Sequence, residues 1–76
     1  MREDAAWALG MIEDSRAVEG LGRALRDQEA DVREQAAWAL GMIEDETALD
    51  ALLDALTDED LDVRKQALWA VAQVSG

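Results

Sequence analysis

The chain of 76 residues contains no cysteine, no histidine and no proline, and its only aromatic residues are three tryptophans. Without cysteine there is no disulfide framework, no thiolate metal site and no thiol nucleophile. Without histidine the commonest general base and metal ligand is missing as well. The hydroxyls of Ser15, Thr47, Thr57 and Ser75 stand isolated from any such base, so no enzyme and no cofactor are expected. The absence of proline leaves nothing to break a helix. No apolar run approaches the roughly 18 residues that span a bilayer, and the opening Met1-Arg2-Glu3-Asp4 does not read as a signal peptide, so a cytoplasmic chain is expected.

Positive charge is also scarce. Eighteen Asp and Glu oppose seven Lys and Arg, for a formal charge of -11. A field of that sign repels phosphate backbones and anionic membrane surfaces, which argues against nucleic acid and membrane as partners. Lys65 is the one lysine beside six arginines, a balance that fits either adaptation to high salt or ordinary solubility.

Half of the residues are apolar, but most of these are Ala and Leu, so a core must come from small side chains on closely packed helices. The sequence repeats. The stretch AAWALGMIED occurs at residues 5–14 and again at 36–45, and at an offset of 31 residues eighteen of 31 positions match between 1–31 and 32–62. Arg2, Arg33 and Arg64 fall in one column, and Trp7, Trp38 and Trp69 in another. A third, partial copy begins at Val63. Self-similarity at such a period marks a solenoid, in which each unit buries its apolar face only against its neighbours.

Each unit carries two helical patterns. Ala48, Leu49, Leu52, Leu53 and Leu56 predict a helix over 46–57, with Asp45 or Glu46 at its start; its earlier counterpart holds Ala17, Val18, Leu21 and Leu25. The second pattern starts at Asp31, an N-cap candidate, and runs through Val32, Ala36, Leu40 and Ile43. The short acidic linkers at 27–30 and 58–61 force neighbouring helices antiparallel.

The run Asp31-Val32-Arg33, followed by Ala36, Ala39, Leu40, Gly41, Ile43 and Asp45 and then by Ala48, Leu49, Leu52, Ala55 and Leu56, resembles the short HEAT-like repeat associated with phycobilin lyase subunits. The resemblance covers essentially the whole chain. It implies an all-α fold, an α-α superhelix of about two and a half repeats with five antiparallel helices, forming a single domain over 1–76. It also implies a binding scaffold, and in a minority of members a subunit that assists an enzyme. The first repeat lacks its first helix and the last has no polar cap, so the chain is expected to be an excerpt of a longer array or to cover its ends by self-association.

A helical wheel at about 100° per residue separates two stripes on the second helix. Val32, Ala36, Ala39, Leu40 and Ile43 form the core face. Asp31, Gln35, Trp38 and Met42 lie more than about 90° away. The same column reads Asp4, Trp7 and Met11 in the first unit and Asp62, Gln66, Trp69 and Gln73 in the third. In the family that this chain resembles, second helices line the concave face, and these are positions that members vary to fit partners. The expected partner is a protein segment with apolar and basic residues, gripped by Trp and Met and steered by a rim of Asp4, Asp31, Glu34 and Asp62. The opposing expectation is that the tryptophans wedge between successive helices as packing. Gly10 and Gly41 are read as close-approach points, and Arg2, Arg33 and Arg64 as ties to the backbone carbonyls or acidic linkers of adjacent units.

Overall fold

The computed structural model describes residues 15–76. They form α1 (Ser15–Ala24), α2 (Ala30–Ile43), a 3₁₀ turn (Glu46–Ala48) that runs into α3 (Leu49–Ala55), and α4 (Leu61–Ser75). Four α-helices are therefore seen among the described residues, against the five expected. The remaining one would fall in 1–14, outside the described residues. No strand occurs among the described residues.

Local chemistry sets the ends of these elements. Asp60 caps α4, its carboxylate accepting from the backbone N–H groups of Asp62 at 2.8 Å and Val63 at 3.1 Å. Asp31 was the cap expected for α2, but the helix starts at Ala30, two residues earlier than that cap implies. Glu29 occupies the N-cap position, in extended conformation and without a side-chain cap bond. Asp31 instead sits in the first turn, where the positive end of the helix favours a carboxylate.

The helix expected over 46–57 divides in two. The Asp45 carboxylate accepts from both the backbone N–H and the hydroxyl of Thr47, at 2.9 and 2.7 Å. With the Ala48 N–H bonded to the Asp45 carbonyl at 3.0 Å, this holds the first turn in the tighter 3₁₀ form before α3 begins. At the other end of α2, Glu44 takes the left-handed conformation, with φ 59°, and returns its N–H to the Leu40 carbonyl.

The core runs between the helices. Leu21, Leu40, Leu52, Val32 and Val63 are fully buried, together with Ala36, Ala37, Ala39, Ala67 and Ala70. Burying each of the large aliphatic side chains is worth about 1.5–3 kcal/mol. The alanines let backbones come close, and α2 lies tightly along α4. At Gly41 an added Cβ would overlap Trp69 Cζ3 and would lie 3.0 Å from both the Cα and the Cβ of Ala70, so this crossing requires the missing side chain.

On the other side, α1 meets the 3₁₀ turn but hardly touches α3 itself. A cavity of about 380 Å³ opens between these first helices, lined by Val18, Gly22, Leu40, Thr47 and Ala51 among others. A Cβ on Gly22 would meet nothing within 4 Å. Small residues thus draw the second helices together while the first helices stay apart.

Candidate partner-binding surface

One arginine joins the two linkers that lead into α2 and α4. Arg33 is buried, with its side chain 10% exposed. Its Nε and Nη2 donate to the two carboxylate oxygens of Asp58 at 2.8 and 3.1 Å. Its Nη1 donates to the Asp27 and Gln28 carbonyls at 2.7 and 3.1 Å. One guanidinium therefore ties its own linker to the next, as expected of that column. Arg64 repeats half of the pattern, donating to the Asp58 carbonyl at 2.7 Å.

Burial pushes the Asp58 carboxyl up. The Arg33 hydrogen bond, the Asp60 N–H and the charges of Arg33 and Arg64 outweigh that and hold it below the usual carboxylate range. The Asp58 hydrogen bond correspondingly raises the Arg33 pKa, against the lowering effect of its burial.

On the face that α2 and α4 share, two concavities adjoin. One, of about 290 Å³, is lined by Asp31, Glu34, Gln35, Trp38 and Gln66. The other, of about 480 Å³, is lined by Glu34, Trp38, Asp62, Lys65, Gln66 and Trp69. Glu34, Trp38 and Gln66 belong to both, so the two form one trough across the helix pair. It brings together Asp31, Gln35, Trp38, Asp62, Gln66 and Trp69 from the stripe read in the sequence. Met42 is 49% exposed and Gln73 is exposed, but neither lines the trough. Asp4, Trp7 and Met11 lie outside the described residues.

The structure adds Lys65, which the sequence reading had not placed in the stripe. It occupies the column of Glu3 and Glu34 and follows Asp62 by three residues, a helical spacing that places the two on one face. That spacing was the available signal.

Neither reading of the tryptophans excludes the other. Trp69 lays one edge of its ring over Gly41 and is still 36% exposed. Trp38 is half-buried and packs against the core while forming a wall of the trough. The indoles thus fix the helix spacing with one part and face solvent with another.

The trough is acidic. Burial raises the Glu34 pKa above the usual value, and the charges of Asp62, Asp31 and Asp60 raise it further. Among the described residues, no three acidic, histidine or cysteine side chains are grouped to hold a metal ion. No described helix is long and apolar enough to cross a membrane.

Compared with known families, residues 1–72 match the model for HEAT repeats. Comparison with curated proteins finds no match.

Proposed function

The chain belongs to the HEAT repeat family, and from that premise we propose that it is an interaction scaffold whose trough over α2 and α4 holds a segment of a partner protein. The observation that carries this is the continuous trough walled by Trp38 and Trp69 and rimmed by Asp31, Glu34 and Asp62. Tight packing of the second helices against splayed first helices supports a superhelix with the trough on its concave side. The indoles and Gln35 and Gln66 supply contact area, and Met42 extends the apolar edge. Apolar anchors in the partner provide affinity, and its basic residues are steered by the rim, which added salt weakens. On this reading the chain performs no catalysis.

Selection from a displayed random-peptide library on the immobilised chain tests the proposal. Peptides retained by the wild type should be lost by Trp38→Ala and Trp69→Ala variants that keep their helical circular dichroism. Retention by both variants would refute it.

A second reading is self-association. Leu61 and Leu68 on α4, 54% and 64% exposed, leave an apolar flank at the end of the described array. Sedimentation across a hundredfold concentration range decides it: a growing oligomer that Leu68→Ser abolishes supports this reading, and a constant monomer removes it.

A further inference from the structure

Glu34 is the acidic residue of the trough that folding explains least. Asp31 and Asp62 stand in the first turns of α2 and α4, where the helix ends stabilise them. Glu34 lies beyond the first turn and is partly withdrawn from water. Among the described residues its carboxylate enters no salt bridge or hydrogen bond. Asp31, Asp60 and Asp62 all repel its charge, and among the described residues Lys65 is the one cation lining the same concavity.

Apolar anchors suit the indoles and the Met42 edge, but an apolar side chain seated against Glu34 and Asp62 would strip the water from these carboxylates without replacing it, which is unfavourable. A cation would relieve the repulsion. It would also lie between two indoles, which attract cations through their ring electrons. A planar guanidinium stacks on indoles and offers paired donors to carboxylates, and an ammonium does neither as well.

We infer that the concavity between Trp38 and Trp69 is a subsite for one arginine side chain of the partner, with Glu34 and Asp62 as its counter-ions. The inference rests on the proposed function of the trough and names the residue that the trough selects. Lys65 lines the same concavity and leaves it a net charge that one cation balances, so the subsite takes one arginine rather than a basic run.

The test uses N-acetyl-arginine amide and N-acetyl-citrulline amide, which differ in charge but little in shape. Each is titrated at constant ionic strength while the indole N–H resonances of Trp38 and Trp69 are followed. The arginine compound should shift both, with an affinity roughly fivefold above that of citrulline, the scale of an exposed cation–π contact with a charge pair. Glu34→Gln, checked for an unchanged circular dichroism spectrum, should remove most of that preference. Equal shifts from both compounds overturn the arginine subsite and leave the peptide-binding trough intact. No shift at either indole also overturns the subsite, while the library selection judges the trough independently. A preference that survives both Glu34→Gln and Asp62→Asn overturns the assignment of the counter-ions.

Discussion

Replacing Arg33 with alanine removes the guanidinium that joins successive linkers, and the structure sets the scale of the loss. Four donations disappear: two to the Asp58 carboxylate and one each to the Asp27 and Gln28 carbonyls. Removing one member of a buried ion pair costs about 3–5 kcal/mol. The pair is slightly open, with side chains 10% and 11% exposed, so the lower end of that range, about 3 kcal/mol, applies. A domain of this size has roughly 4–11 kcal/mol in total, and each kcal/mol moves its melting temperature by about 4–8 °C. Arg33→Ala should therefore melt at least about 12 °C lower. Arg33→Lys keeps the charge but loses the fork, and should fall between the two. Thermal and urea unfolding followed by circular dichroism measure these losses. A cycle with Asp58→Ala should show a coupling of roughly 1.5–3 kcal/mol. A loss below about 1 kcal/mol for Arg33→Ala, or a coupling near zero, would refute the claim that this arginine joins the repeats.

Gly41→Ala sets about 1 kcal/mol of gained helix propensity against about 1–3 kcal/mol of overpacking. Because the clash reaches the α4 backbone at Ala70 as well as Trp69, the cost should win by about 1 kcal/mol, with red-shifted tryptophan emission as Trp69 is displaced; an unchanged spectrum and raised stability would contradict this. Glu44→Gly relieves a left-handed φ of 59° and should stabilise by about 0.5–1 kcal/mol in urea unfolding. Stability should also respond to pH with two opposite signs. The Glu34 pKa is raised on folding, so its charged form costs stability at neutral pH, and that cost disappears as pH falls through the raised folded value toward the ordinary one. Asp58 is lowered on folding, so its contribution is present above the ordinary carboxylate value and is lost as pH falls through the folded value. Urea midpoints measured from pH 7 to 3 should rise and then drop, with Glu34→Gln flattening the first limb and Asp58→Asn the second.

The period of 31 residues made the pairing of helices, the core stripe and the role of the Arg33 column legible, because each depends on a residue type recurring in one place. Details that depend on one side chain's reach were not. Asp31 and Glu29 both carry carboxylates near the start of α2, and only backbone conformation decides which residue precedes the first turn. The 3₁₀ turn depends on Thr47 bonding back to Asp45, a competition between local hydrogen bonds that helical periodicity does not register. Glu44 reverses the chain at a position that more often holds glycine, so composition gave no sign of it. Of the stripe, six residues meet in the trough. The wheel gave their direction, but not that Met42 and Gln73 lie outside it, nor that Lys65 lines it. Whether an indole packs or faces water was undecidable from spacing, since Trp69 does both across Gly41.

The most direct test of the trough is a map of amide and indole chemical-shift changes in the ¹⁵N-labelled chain as a library-selected peptide is added. The account predicts that the largest changes fall on Asp31, Gln35, Trp38, Asp62, Gln66 and Trp69. Changes centred instead on Val18, Gly22, Thr47 and Ala51, on the splayed side of the helix pairs, would contradict it.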